Sequence, residues 1–143
     1  MNNPHAFTHH ELGVDIKAMT DAIEFVFDVH TRLEPQISHA RITSHASFRL
    51  ESIQPEQVLT ELWYWLRAIE TYVWQCAVEF GRMDNICRFS WTKTQGRQGA
   101  LVVAINGSQT LLSIDLPARS LLTAFSSRLS ELKVRQALHL IDT

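Results

Sequence analysis

The 143-residue sequence is poor in glycine, cysteine and long apolar runs. Five glycines leave little material for a phosphate-cradling loop, and neither a GxGxxG segment, a Walker-type loop nor a GxSxG elbow occurs. Two cysteines, Cys76 and Cys87, make no disulfide framework and no metal cage, and there is no CxxC. Both fall on apolar-patterned positions and read as small buried hydrophobes in a reducing compartment. The longest uninterrupted apolar run, Ala100–Ile105, is far short of the roughly 20 residues of a membrane-spanning helix. Met1 to His5 carries no basic, then apolar, leader pattern, so a cytoplasmic protein is expected. His5, His9 and His10 lack the His–Glu–His helical spacing of a zinc site, and no metal or cofactor is expected.

Hydrophobic residues make up 45% and charged residues 20%, the balance of a chain that builds a core. The length fits one α+β domain over 1–143, with 1–7 as a flexible N-terminal stretch. Thirteen Lys+Arg against fifteen Asp+Glu give a net charge of −2, which does not favour nucleic acid as a partner. The charge is unevenly spread. Residues 1–71 hold ten acids and five bases, a net of −5, and residues 72–143 hold five acids and eight bases, a net of +3. Such bipolarity suits protein partners or self-association.

Thr8 and Glu11 are spaced as a capping box and Phe7 and Leu12 as a hydrophobic staple, which predicts a helix from about residue 8. Leu12, Ile16, Met19, Ile23, Val26, Phe27 and Leu33 then follow at helical intervals up to Pro35. Residues 37–51 alternate, with Ala40, Ile42, Ala46, Phe48 and Leu50 on one side, and predict one or two strands. Pro55 opens a second helix whose seam runs through Leu59, Leu62, Leu66, Ile69, Val73, Cys76 and Phe80 to a stop at Gly81. A meander follows: a strand over Ile86–Lys93, a loop bounded by Gly96 and Gly99, a central strand over Ala100–Ile105, and a two-residue hairpin at Asn106-Gly107. That hairpin pairs Leu101 with Leu112, Val102 with Leu111 and Val103 with Thr110. A third helix starts after Pro117 and runs to about Leu132, and Val134–Ile141 is read as a last strand. The predicted architecture is α+β, in the order α-β-α-β-β-β-α-(β), with helices on one face of an antiparallel sheet of four to five strands.

Projected at about 100° per residue, the first two helices carry apolar arcs of roughly 200°, twice what a surface helix needs. The excess meets another helix, a second copy or a different protein. Trp63, Trp65, Tyr72 and Trp74 flank the second helix's seam and are candidate partner anchors, because Trp and Tyr dominate interface hot spots. Glu70 projects into the apolar arc between Leu66, Val73 and Ala77, with Arg67 three residues earlier. This is either an ion pair at the core rim or a carboxylate held for a partner's cation. Asp21, Glu24 and Asp28 form an acidic stripe on the first helix, which is a solvated face or a mask for a basic surface. His39, Arg41, His45 and Arg49 line the polar side of the following strand, where they could grip an anion or simply face water. His30 reads as a core histidine.

The leading expectation is a small non-enzymatic inhibitor or adaptor that occludes a partner protein, as immunity and anti-defence proteins do, with a possible homodimer through helix one or two. The alternative is a ligand-binding sensor or enzyme with a pocket between the sheet and helices one and two, using Glu70, Arg67 and His30. No set of residues has a catalytic spacing, which places binding ahead of catalysis.

Overall fold

The computed structural model describes residues 7–34, 41–71, 73–82, 85–106 and 109–142. Among them the elements run β1 (Phe7–Ala18), β2 (Ala22–Glu34), β3 (Arg41–Glu51), α1 (Pro55–Glu70), β4 (Gln75–Arg82), β5 (Asn85–Gln95), β6 (Gln98–Ile105), β7 (Gln109–Pro117) and α2 (Ala118–Asp142). β1-β2-β3 form one antiparallel sheet, and β4-β5-β6-β7 form a second as a four-stranded meander. The class is α+β with antiparallel strands, as expected, and strands predominate.

The largest departure lies at the start. The segment with helical spacing from residue 8 to 33 is a β-hairpin, so the capping box and staple at Thr8, Glu11, Phe7 and Leu12 have no helix to serve. Its register places Ile16 opposite Phe25 and Val14 opposite Phe27, and the turn closes with the Met19 N–H donating to the Ala22 carbonyl at 2.8 Å. Ile23, Phe25, Phe27 and Val29 alternate along β2 and are buried. Aromatic and β-branched residues at period two fit a half-buried pleated surface, and that preference outweighs the looser three-and-four spacing. The first six residues lie outside the described ones, while Phe7 already belongs to β1 rather than to a loose terminus.

α1 starts at Pro55, as predicted, but ends at Glu70 rather than Phe80. Cys76, Val78 and Phe80 turn to the core at period two as part of β4. Gly81 is therefore a strand residue and not a helix stop. It has φ +98°, and a Cβ there would lie 1.9 Å from the Asn85 carbonyl oxygen, so no side chain fits. The hairpin at Asn106 is where the sequence places it, with Asn106 at φ 52°. Ile105 pairs with Gln109, however, so three residues connect the strands, and the register shifts between Val103 and Ala104. Leu101 consequently faces Ile114, Val102 faces Ser113 and Val103 faces Leu112. These partners lie two residues beyond the predicted ones, so each side chain keeps its predicted face. Val134–Ile141 continues α2 and is not a strand.

The inner faces of the two sheets meet at aromatic rings. Phe89 of β5 lies 5.1 Å from Phe25 and 6.0 Å from Phe27 of β2, 5.8 Å from Trp65 of α1 and 6.1 Å from Phe125 of α2, measured between ring centroids. Most of these are edge-on or tilted contacts, the arrangement that ring quadrupoles favour.

α2 is tied to the edge of the first sheet by one side chain. Arg128 donates from Nε and Nη2 to the Ile16 carbonyl at 3.1 and 2.8 Å, and its guanidinium reaches Asp15 at 3.1 Å and Glu131 at 2.9 Å. Most of the Arg128 side chain is covered. Arg128→Ala is expected to cost about 1–2 kcal/mol, since it strips a charged donor from a covered carbonyl. Urea unfolding checks this, and Arg128→Lys should restore only part of the loss because Lys lacks the planar fork.

Candidate functional site

α1 turns Val58, Leu59, Leu62, Trp65, Leu66 and Ile69 into the core. Of the aromatics expected to anchor a partner, Trp65 is only 4% exposed. Its ring stands edge-on to Phe89 and Phe125, and its Nε1–H donates to the Cys76 carbonyl on β4 at 3.4 Å. It is a core residue and not a surface anchor. The cause is the shorter helix: β4 turns back beside α1 and covers the side on which Trp65 sits. Trp63 is half-buried against the core. Tyr72 lies outside the described residues.

Trp74 is different. It sits between α1 and β4 with 66% of its surface exposed, while its main chain is held by the Lys93 N–H donating to its carbonyl at 2.9 Å. Tyr64 is 69% exposed on α1 and does not stand among the sequence candidates. The available signal is its spacing from Thr60, Arg67 and Thr71, which puts an aromatic ring on the polar side of the helix. Arg67 and Glu70 are both exposed. Glu70 does not enter an apolar arc, because the helix ends at this residue and Val73 and Ala77 are not on the next turn.

The two charged sets of the N-terminal half come together on the outer face of the first sheet. Asp28 and His45 are cross-strand partners, with Oδ1 and Nδ1 2.7 Å apart. Glu24 stands opposite Arg49 in the register and 3.7 Å from Lys17 Nζ, and Arg49 Nε lies 2.6 Å from Glu51. Acids expected to mask a basic partner and bases expected to grip an anion thus largely face each other. Exposed pairs of this kind are worth about 0–1 kcal/mol each. Asp21 is exposed in the β1–β2 turn, where its carbonyl accepts the Ile53 N–H at 3.0 Å. His39 lies outside the described residues, and of Arg41 only the backbone position in β3 is described. His30 is half-buried on this same outer face, opposite Glu11 and Thr43, and not in the core.

Among the described residues, neither Glu70 nor Arg67 lines the cavities beside α1. The cavity at that end of α1, lined by Ile69, Val73, Trp91 and Lys93 among others, holds about 10 Å³, no more than one water. A cleft of about 640 Å³ opens instead at the other end of the helix. Glu51, Glu61, Glu79 and Arg82 are its charged walls, with Gln54, Gln57 and Asn85 between them. Ser52, at φ 53°, bends the chain between β3 and α1 at its lip.

Neither cysteine is set up as a nucleophile. Burial pushes the Cys87 thiol up to about 12 and also raises Cys76, so little thiolate forms near neutral pH. Among the described residues, no three His, Cys, Asp or Glu side chains gather as a metal site, and no helix is long and apolar enough to cross a membrane. Comparison of the chain with protein-family models, with curated proteins and with solved structures finds no match.

Proposed function

We propose that this chain is a small protein-binding module that acts as an inhibitor or adaptor by covering part of another protein. The observation that carries the proposal is Trp74: a large indole on an anchored backbone, two-thirds open to solvent, in a chain that buries Trp65 and Trp91 almost completely. An exposed, positioned indole supplies contact area at low entropic cost, which is what a hot spot does. Tyr64 on α1, with Arg67 at its side, adds a second ring and a charged flank that would orient the partner.

Affinity capture from the native host, followed by titration of the captured protein, tests the proposal. Trp74→Ala is expected to weaken binding by about 2 kcal/mol, roughly 30-fold, without changing the melting temperature. Unchanged affinity in both Trp74→Ala and Tyr64→Ala would remove this surface from the mechanism.

A second reading rests on the 640 Å³ cleft, which is of ligand size and has three carboxylates against one guanidinium on its walls. It favours a small cationic molecule. Native mass spectrometry separates the two: a small cation that stays bound in Trp74→Ala but is lost in Glu61→Gln supports the cleft and not the aromatic surface.

A further inference from the structure

Two open sheets leave four edge strands, and each edge presents unpaired main-chain N–H and C=O groups to any strand that arrives. Three of these edges are managed within the chain. On β1, Arg128 occupies the Ile16 carbonyl. On β4, the Trp65 indole occupies the Cys76 carbonyl. β7 runs beside β1 and α2. β3 comes close to β5 and β7 as well, but among the described residues no strand pairs with its second side. Among the described residues the bond to its free side comes from Asn85 Nδ2, a long 3.5 Å contact to the Glu51 carbonyl at the very end of the strand. Ser44, His45, Ser47 and Arg49 are exposed along it, and Phe48 on the inner face is only half-covered.

We propose that the free edge of β3 pairs with β3 of a second copy of this chain, antiparallel about a two-fold axis at Ala46. The strand's own sequence selects both the partner and the register. β3 spans Arg41–Glu51, so an axis at its central residue overlaps all eleven positions. It sets Ala46 opposite Ala46 and Ser44 opposite Phe48, so inner face continues into inner face. It sets Arg41 opposite Glu51 at both ends, a complementary charge pair repeated by symmetry. Moving the axis one residue along puts His45 opposite Arg49. Moving it one residue back puts Arg41 opposite Arg49 and His45 opposite His45. Both neighbouring registers thus place cationic side chains against each other, which is unfavourable in directly opposed positions. Eleven paired positions would exchange about 10–12 main-chain hydrogen bonds, as many as an ordinary protein interface carries, with the Asn85 amide displaced from the Glu51 carbonyl. The two three-stranded sheets would become one of six strands. The inference uses none of the residues of the aromatic surface or its partner, and it stands or fails separately from that proposal.

Sedimentation velocity over a wide concentration range tests it. The wild type is expected to form a species of twice 16.4 kDa. Arg41→Glu and Glu51→Arg are each expected to weaken the dimer by about tenfold or more, since each replaces two attractions by two repulsions; Glu51→Arg also loses the Arg49 pair within the chain, so the double variant is expected to restore part of the loss. Hydrogen exchange on the wild type gives a reading that does not depend on variants folding: β3 amides should gain protection as concentration rises. A monomer at every concentration overturns the proposal, as does a dimer indifferent to both single reversals. A double variant no better than the single ones, or β3 protection independent of concentration, does the same. A partner strand from another protein would show itself as a monomer alone whose β3 becomes protected only in the captured complex, which also overturns it.

Discussion

Phe89→Ala is expected to lower the free energy of unfolding by about 3–5 kcal/mol, the upper range for large-to-small changes in a core. Phe89 is fully buried, and it is the ring on which the two sheets and both helices converge. Phe80 on the neighbouring strand completes the cluster at 5.9 Å. Removing the ring takes away its transfer energy and also leaves a void bounded by Phe25, Phe27, Trp65, Phe80 and Phe125. Those side chains hang from four different elements, so no single rigid shift fills the space. Against a typical total stability of roughly 5–15 kcal/mol, the loss removes a large share of the whole. Urea titration followed by tryptophan fluorescence checks it, because Trp65 lies directly against the void and Trp91 is buried on the same strand. A midpoint shift equivalent to less than about 1 kcal/mol would mean that the sheets do not share this core.

How much of this was legible in the sequence turns on which periods a segment can satisfy. Residues four apart share a face in both a helix and a strand, so Leu12 and Ile16, Ile23 and Phe27, and Cys76 and Phe80 support either assignment. The deciding residues are those in between. Val14, Phe25 and Val29 complete the strand alternation of the first hairpin, and Val78 completes that of β4; wound onto a helix, they only widen the apolar face. The roughly 200° arc that seemed to demand a partner is, for the first segment, a period-two pattern seen through a period-3.6 projection. For the second it is a helix seam joined to a strand. Some local signals hold, while the capping box at Thr8 and Glu11 and the helix stop at Gly81 do not. Pro55 starts α1, Asn106 turns the hairpin with a left-handed backbone, and the predicted alternation holds over residues 45–50 of β3. The candidate surface was legible in part. Trp74 stays outside, as an anchor must, but Trp65 is taken by the core, and Tyr64 is missed because it lies on the polar stripe of Thr60, Arg67 and Thr71 and not beside the apolar seam. The pairing of Asp28 with His45, and of Glu24 with Arg49 across the register, required knowing that their segments are neighbouring strands.

Gly99→Ala is expected to destabilise the fold by about 3 kcal/mol or more, at the top of the range for overpacking a core. Gly96 and Gly99 look alike in the sequence, as glycines flanking a hairpin loop, but the structure gives them different work. Gly96 has φ +58° with nothing within 4 Å of a Cβ, so backbone freedom is its role and alanine there should cost only the left-handed strain of about 1–2 kcal/mol. Gly99 lies within β6 and makes room for Trp91 of the paired strand, whose six-membered ring occupies the place of a side chain. A Cβ at Gly99 would stand 2.1 Å from Trp91 Cζ2 and 2.5 Å from Cε2 and Cη2. The indole is 2% exposed, and the cavity beside it holds about 10 Å³, too little to take a displaced ring. The methyl group therefore forces strand β6 away from β5 or drives Trp91 off its rotamer. A double-mutant cycle isolates this cause. Trp91→Leu alone should be destabilising through the cavity it leaves, and Gly99→Ala should cost much less in that background than in the wild type, with a coupling of about 1–3 kcal/mol. Strict additivity would show that Gly99 serves the backbone of β6 and not the ring above it.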